Sequence, residues 1–476
     1  MKLRFIRNIR TFLFRFLHFF IHDRMNKYTA YIGLFFCLIL FQTAKAQRTE
    51  VRDPRITSMV DEVSANHLET LVRKLVSFQT RHTLSDTLSK TTGIGAARTW
   101  IKEEMERYGK EGGGRLQVSY DTFIQPADGR RVPEPLTLKN VMAVLPGTDP
   151  DDKRMILISG HYDSRVSNVM NIKDFAPGAN DDASGVAAMM ELCRIMSKEK
   201  FNATLVFVAV VGEEQGLYGA TNLAKRAKAE GWDVHLVLNN DIVGNSYGME
   251  TDIHDNTHVR VFSEGVPAAE TPAQAAARMS AGTENDGRAR QAARYIKEVA
   301  ERYVDQLDVK LIYRRDRYLR GGDHTPFSQQ GFTAVRITEM NEDFNRQHQD
   351  IRTENGFKFG DLPEYVDYTY LQKVARMNLS VMANLASSCQ EPENVLVQTS
   401  GLTNKTSLKW TAPKGKTPAA YYVLMRETTS PFWERKFLVK DTAATLAYSK
   451  DNYFFAVQSV DEAGHESLMV IPRAGR

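Results

Sequence analysis

The chain has 476 residues, of which 42% are hydrophobic and 25% charged, so it is long enough for one large globular domain and a smaller one. Its formal net charge of +4 is concentrated in residues 1–46, which hold eight Lys or Arg and one acidic residue. Removing them from the totals of 62 basic and 58 acidic residues leaves 54 and 57. The rest of the chain is therefore slightly acidic, which argues against a nucleic-acid partner.

Residues 1–46 are predicted to be a signal segment for export. Lys27 precedes an apolar run from Tyr28 to Phe41, and Ala44-Lys45-Ala46 is a small-x-small cleavage pattern. The run is shorter than the roughly 20 residues of a membrane span, so we expect cleavage near Gln47 and no stable membrane span afterwards. This predicts a periplasmic, extracellular or cell-surface protein, and an uncleaved anchor is the alternative.

Residues 47–389 show the alternation that is typical of an α/β domain. A helical pattern covers about 58–108 and is followed by apolar strand-like runs that alternate with helical stretches. The predicted strands are Val141–Leu145, Met155–Ser159, Thr204–Val211, Val234–Leu238, Lys310–Tyr313 and Ala334–Ile337, and the predicted helices are Ala183–Ser197, Gly219–Glu230, Gln291–Gln306 and Tyr365–Ser387. This order predicts an α/β fold with a mostly parallel sheet covered by helices on both faces. Residues 244–290 have no clear periodicity and are expected to form loops over the site.

Residues 390–476 are predicted to form a small all-β sandwich. They contain short alternating runs and no helical pattern, with candidate strands at Thr406–Trp410, Tyr421–Arg426, Phe437–Val439 and Asn452–Ser459. The runs around Trp410, Tyr421 and Tyr453 resemble those of a fibronectin type III domain.

His161 and Asp163 follow the predicted strand Met155–Ser159. Two residues apart on an extended segment, they face the same side, so Asp163 can accept a hydrogen bond from the second imidazole nitrogen and leave the first for a metal. A His-x-Asp pair is common at protein surfaces and is weak evidence alone.

Further carboxylates follow in pairs. Asp181 and Asp182 lie in a turn just before a predicted helix, where they can cap the helix or bridge two cations. Glu213 and Glu214 come directly after the apolar strand Thr204–Val211, where they are either solvated or paired with cations. In the second case one glutamate binds metal and the other is the general base.

Asp241 follows the strand Val234–Leu238, and His324 lies between a glycine turn and a predicted helix start. Taken alone, each of these two residues is as consistent with a helix cap or a surface position as with metal binding. Together with the earlier ones they place two histidines and at least three carboxylates where open α/β sheets have their sites, at the carboxyl ends of strands. This set is suited to two zinc ions.

The combination resembles the co-catalytic two-zinc exopeptidase family that includes bacterial leucyl aminopeptidases, glutamate carboxypeptidase and glutaminyl cyclases. The resemblance spans roughly residues 60–388. It implies that His161 and Asp241 complete one zinc site, that Glu214 and His324 complete the other, and that Asp181 bridges both. It further implies Glu213 as general base, Asp163 as the carboxylate behind His161, and a water that bridges the two ions as nucleophile. The family's substrate-polarising tyrosine has three candidates: Tyr303, Tyr313 and Tyr318.

The predicted activity is removal of terminal residues from peptides, with an aminopeptidase favoured because the acidic cluster can hold a substrate ammonium group. A carboxypeptidase is the alternative, supported by the arginine-rich stretch 314–320. A glutaminyl cyclase with one zinc and a catalytically dead binding protein are two further alternatives. The sequence does not give the oligomeric state.

Overall fold

The computed structural model of the protein describes residues 52–475, and the predicted signal segment 1–46 lies outside them. In this described part, no helix combines the length and the apolar character needed to cross a membrane. The helices before residue 390 are α1 (Pro54–Glu62), α2 (Ala65–Val76), α3 (Gly93–Glu111), α4 (Ala183–Met196), α5 (Glu213–Gly216), α6 (Tyr218–Ala229), α7 (Pro272–Ala281), α8 (Arg288–Tyr303), α9 (His324–Gln329), a 3-10 helix (Pro363–Tyr365) and α10 (Tyr368–Ser387).

Eight strands form the central sheet, in the order β1-β2-β4-β3-β5-β8-β6-β7. Their bounds are β1 (Gln117–Gln125), β2 (Leu136–Leu145), β3 (Met155–His161), β4 (Thr204–Val210), β5 (Val234–Asn240), β6 (His258–Phe262), β7 (Asp308–Ile312) and β8 (Ala334–Glu339). The middle strands β4, β3, β5 and β8 are parallel. β1 and β2 continue the sheet antiparallel on one side, and β6 joins β8 antiparallel on the other. The prediction of a mostly parallel sheet is confirmed.

Both faces of the sheet are covered by helices, also as predicted. Successive side chains of a strand point to opposite faces, and β4 shows this clearly. Its residues Leu205, Phe207 and Ala209 join one core with α2, α3, α4 and α10, while Val206, Val208 and Val210 join a second core with α6 and α9. Two-sided burial explains why these strands read as continuous apolar runs.

Two regions differ from the sequence-based expectation. Residues 244–290, predicted as loops, contain β6 and α7, and the strand β1 was not predicted at all. β1 is an edge strand whose only buried residue is Asp121, and α7 has no buried residue. The apolar signal of β1 and α7 is therefore weak, whereas β6 alternates as a strand does but is only five residues long.

A two-layered, all-β segment follows α10, as predicted. The short antiparallel pair β9 (Arg352–Glu354) and β10 (Phe357–Phe359) precedes α10. The strands after α10 are β11 (Glu393–Gln398), β12 (Thr406–Thr411), β13 (Ala420–Glu427), β14 (Arg435–Val439), β15 (Ala443–Leu446), β16 (Tyr453–Val460) and β17 (Arg473–Gly475). They form one sheet in the order β15-β12-β11-β17 and a second in the order β14-β13-β16. Trp410, Tyr421, Val423 and Phe455 fill the space between the sheets. The resemblance to a fibronectin type III domain stays a prediction.

The second sheet of this segment is buried on both of its faces. Val423 and Phe455 point into the sandwich, whereas their neighbours Leu424 and Ala456 join the core of the central domain. Trp433, Leu468 and Met469 join the same core, which also contains residues of α8. The sandwich and the central domain therefore share one apolar core.

Buried ion pairs reinforce this junction. Asp286 accepts from Arg294 of α8 on one oxygen (2.8 Å) and from Arg426 of β13 on the other (2.7 Å), and all three side chains are at most 2% exposed. Arg302 of α8 pairs with Glu466 at 2.6 Å, also out of solvent. Because each charge has a partner, the pairs are stable only while both sides of the junction are in place.

We expect Asp286→Ala to lower the free energy of unfolding by about 3 kcal/mol or more, because it leaves two buried guanidinium groups without their carboxylate. The control is Glu230→Ala, which removes an exposed partner of Arg226 within α6 and should change stability by less than about 1 kcal/mol. Urea unfolding followed by circular dichroism measures both. Equal effects of the two substitutions would contradict the proposed importance of the junction.

His465 links the start of the described chain to its end. Its Nδ1 lies 2.9 Å from Asp461 and its Nε2 lies 2.7 Å from Asp53, next to α1. Burial opposes the charged imidazole, but the two carboxylates outweigh it and raise the pKa of His465 above its ordinary value.

A raised folded-state pKa stabilises the fold when the group is protonated. The stability difference between the natural protein and His465→Gln should therefore be fully present below about pH 6.5, and should be lost as the pH rises through the raised pKa. Urea unfolding of both proteins at a series of pH values measures it. A difference that grows with pH would contradict this assignment.

Candidate metal centre

The carboxyl ends of the parallel strands bring the predicted site residues together. β3 ends at His161, β4 is followed by Glu213 and Glu214, and β5 is followed by Asp241. Asp181 enters from the turn before α4. Gly212 has a φ of 74°, a left-handed conformation that lets the chain turn sharply between β4 and the two glutamates.

Two groups of side chains are close enough to hold a cation each. His161, Asp181 and Asp241 form the first group, and Asp181, Glu214 and His348 form the second. Asp181 belongs to both: its Oδ1 lies 3.1 Å from His161 Nε2 and its Oδ2 lies 2.8 Å from His348 Nε2. His348 Nε2 also lies 2.9 Å from Glu214 Oε1. Asp181 is thus placed to bridge two ions.

The orientation of these atoms fits metal ligands. His161 Nε2, His348 Nε2 and Glu214 Oε1 are buried, and none of them is in hydrogen-bonding geometry with any partner among the described residues. Polar atoms that approach one another this closely without hydrogen bonding are expected where all of them point at a shared cation. Imidazole nitrogens and carboxylate oxygens are also ordinary zinc ligands.

The electrostatics of the site also favour positive charge. Burial opposes protonation of His348, yet Glu214 and Asp181 raise the pKa of its imidazole to about 10. The same balance of burial against Asp163 and Asp181 raises the pKa of His161. Carboxylates that hold protons so firmly on two imidazoles are equally suited to hold cations there.

Asp163 has the position predicted for it behind His161. Its carboxylate lies 3.6 Å from His161 Nδ1, but the hydrogen-bonding partner of that nitrogen is the backbone carbonyl oxygen of Asp163, at 3.2 Å, and not the side chain that the sequence predicted. The carboxylate accepts hydrogen bonds from the backbone N–H groups of Gly212, Glu213 and Glu214 at 2.9–3.3 Å. Asp163 therefore orients both a histidine and the turn that carries the two glutamates.

Asp182 does not join either ligand group. Its carboxylate accepts from the backbone N–H of Gly185, which caps α4, and from those of His161 and Ile242. The capping role that the sequence allowed for Asp182 is the one observed, and Asp181 is the member of the pair that faces the site.

Residues outside the predicted set position the bridging carboxylate. Asp361 accepts hydrogen bonds from the backbone N–H groups of Asn180 and Asp181 at 2.8 and 2.7 Å. Arg81, which is fully buried, donates to the carbonyl oxygens of Tyr162, Pro177 and Gly178. Both residues hold the loop from which Asp181 projects.

Asp241 is held by a buried arginine of the neighbouring strand. Arg336 of β8 lies 2.7 Å from Asp241 Oδ2 and is completely excluded from solvent. The other oxygen of Asp241, Oδ1, does not take part in this ion pair. An arginine at this depth needs such a partner, because an unpaired buried charge is strongly destabilising.

Glu213 lies at the site without being part of either ligand group. It lines the same cavity as Asp181 and Asp241, next to Glu214. Removal from water and the neighbouring Asp241 and Glu214 raise the pKa of its carboxyl, despite the opposing effect of His161.

His324, predicted as a ligand of the second zinc, lies outside both groups. Its Nε2 is turned to the carbonyl oxygen of Arg315 at 2.8 Å, and burial lowers the pKa of its imidazole to about 4. His348 occupies the place that the sequence analysis gave to His324. The signal for His348 was present, since it follows the carboxyl end of β8, whereas His324 precedes that strand.

The three tyrosines considered for polarising the substrate do not line the cavity either. The Tyr303 hydroxyl accepts from the backbone N–H of Asp53, the Tyr313 hydroxyl contacts the carbonyl oxygen of Pro431, and Tyr318 is 75% exposed.

Comparison with known proteins places this geometry in a family. Residues 140–382 match Peptidase family M28. A protein of Leptosphaeria maculans named a probable zinc metalloprotease is 45% identical over 424 residues, which cover 89% of this chain and 98% of that protein. A protein of the same description from Pyricularia oryzae is 45% identical over 433 residues, covering 90% and 86% of the two chains. The solved structure of the LapA aminopeptidase of Legionella pneumophila shares the fold, with a TM-score of 0.51 at 17% identity over 72% of this chain and 78% of that chain.

The matched span begins in β2 and ends in α10, so it contains every member of the two ligand groups. The family match covers about half of the chain, and relatives that are 45% identical cover about nine tenths of it. Both findings lead to the same conclusion. The chain is a zinc peptidase that belongs to peptidase family M28.

Proposed function

We propose that the protein is an exopeptidase that binds two zinc ions. His161, Asp181 and Asp241 would hold one ion, and Asp181, Glu214 and His348 the other. The observation that carries this proposal is the position of Asp181, whose two oxygens lie 3.1 and 2.8 Å from two different histidines. When bound, two zinc ions supply a water of lowered pKa and polarise the carbonyl group of the scissile bond.

The proposed general base is Glu213. It lies in the cavity beside both ligand groups and does not belong to either. From there its carboxylate can take the proton of the attacking water and deliver it to the leaving amine. Asp163 would keep the His161 ring and the backbone of Glu213 in place during this transfer.

The two ligand groups favour this proposal over the alternatives of another class. A glutaminyl cyclase would use one ion and leave the second group without a role, and a dead binding protein would have no reason to keep both. An aminopeptidase stays our first expectation for the end of the peptide attacked. The acidic residues that favoured an aminopeptidase include the proposed metal ligands. The remaining residues of the cavity therefore decide which end of the peptide is attacked.

We expect the purified protein to hold about two zinc ions per chain and His348→Ala to hold about one, because the second group loses a ligand. His324→Asn should keep two, since His324 lies outside both groups. Metal content after dialysis, measured by plasma emission spectrometry, tests both variants. Loss of zinc from His324→Asn with retention in His348→Ala would restore the assignment made from the sequence.

Glu213→Gln should lower kcat by about 10²–10⁴ while zinc content stays near that of the natural protein, because a base is removed and no ligand. The matched control is the neighbouring Glu214→Gln, which should lose zinc together with activity. Kinetics on short peptides and metal analysis give both readings. If Glu213→Gln lost metal and Glu214→Gln kept it, the two roles would be reversed.

A further inference from the structure

The cavity in front of the metal centre has a strongly basic wall. It has a volume of about 610 Å³, and Glu213 and His348 are among the residues that line it. Arg131, Arg165, Arg317 and Arg320 also line it. They come from three separate parts of the chain: the β1–β2 connection, the loop after β3 and the loop after β7.

Two of these arginines lie immediately beside the second ligand group. Arg131 donates from Nη1 to the carbonyl oxygen of Glu214 at 2.7 Å. Arg165 Nε lies 3.5 Å from Glu214 Oε2, and its Nη2 lies 3.0 Å from His348 Nδ1. Each guanidinium has five N–H donors in a fixed planar array, so both retain donors for a further partner.

Arg317 and Arg320 have an acidic partner in common. Glu342 lies within 2.9 Å of Arg317 and 3.3 Å of Arg320, and it also pairs with Arg260 at 2.9 Å. Arg317 has a second carboxylate partner, Asp316, at 3.2 Å, so the three guanidinium groups share two carboxylates and one positive charge is left over. Arg320 is 36% exposed, so its side chain is accessible from the cavity.

The sum of charges then decides what the cavity attracts. The acids that line it are Asp181, Glu213, Glu214 and Asp241. Their four negative charges are balanced by two divalent cations, so the acids hold little attraction for a substrate ammonium group. Among the described residues, Arg131 pairs with no carboxylate and Arg165 pairs only with Glu214, so these two arginines keep their positive charge when the cations neutralise the acids. The electrostatic field at the substrate position is therefore that of the basic wall.

We propose that this wall, with Arg131 and Arg165 at its centre, binds a carboxylate of the substrate, which makes the enzyme selective for acidic peptides or peptide ends. The inference rests on the proposed exopeptidase function and adds its substrate class. Two sources present this chemistry: the free carboxyl terminus of a peptide and the side chain of an N-terminal Asp or Glu. Arginine is suited to both because its planar fork matches a carboxylate in a bidentate pair.

The zinc-loaded, full-length mature protein is assayed on two matched pairs of substrates. The first pair is N-acetylated dipeptides with a free or an amidated carboxyl terminus, and the second is the glutamyl and glutaminyl anilides with a free amino group. In at least one pair, the member with the additional carboxylate should have a kcat/KM about tenfold or more above its neutral partner. Preference in the first pair identifies the carboxyl terminus as the source, and preference in the second identifies the side chain.

Substitution of single arginines tests the wall itself. Arg131→Gln should raise KM for the preferred substrate about tenfold, with kcat and zinc content little changed. Arg130→Gln is the matched control, because Arg130 is the adjacent exposed residue and does not line the cavity. Calorimetric binding of glutarate, which is not hydrolysed, should weaken in Arg131→Gln and not in Arg130→Gln.

Equal rates within both pairs, or equal behaviour of Arg131→Gln and Arg130→Gln, would overturn the inference and leave the exopeptidase function standing. Absence of hydrolysis of all four substrates and of a panel of neutral aminoacyl anilides by the zinc-loaded protein would instead overturn the proposed function.

Discussion

Four carboxylates converge on one cavity at the carboxyl edge of the sheet, and most of the surrounding structure depends on that crowding. Like charges repel strongly in a site with little water, and the positive partners that the described residues supply are the imidazoles of His161 and His348 and the guanidinium groups of Arg336 and Arg165. The arrangement is stable when cations are present, so metal binding contributes to the stability of the folded state as well as to the chemistry. The folded structure around the site is therefore expected to be more stable with cations bound than without them.

The neighbouring residues keep the ligands in position by hydrogen bonds from fixed groups. Asp163 accepts from three consecutive backbone N–H groups, and Asp361 accepts from two. Arg336 fixes one oxygen of Asp241. Arg336 lies within β8, whereas Asp163 and Asp361 lie in connecting segments, and all three side chains are buried. Such preorganisation is what a metal site requires if small displacements are not to weaken it.

The sequence predicted the parts of the site that adjoin clear apolar strands. His161, Asp163, Glu213, Glu214 and Asp241 each follow such a strand within a few residues, so the rule that sites lie at carboxyl ends of strands locates them. His348 lies farther from β8, in a segment without periodicity, and the family resemblance was matched to His324, which lies between a glycine turn and a helix start. A histidine in a loop can reach a site from many positions, and only the path of the chain decides which one does.

The basic wall and the shared core show two further limits of prediction from the sequence. The four arginines of the cavity come from three distant parts of the chain, so no local pattern connects them. For the core, in contrast, a signal was present. Residues 421–425 and 453–457 are apolar on both alternating faces, which is typical of a strand buried on two sides. We interpreted them as one layer of a separate sandwich, whereas their second face covers the central domain.

This shared core has a consequence for how the protein is made. Leu468 and Met469 contribute to the same apolar cluster as α2, and His465 holds Asp53 beside α1. The contact between Asp53 and His465, which are 412 positions apart, cannot form until His465 has been synthesised. The central domain therefore spends that interval with part of its apolar surface uncovered, a state prone to aggregation that chaperones would have to protect. Release of the last segment, and not completion of the sheet, sets the moment at which the native core closes.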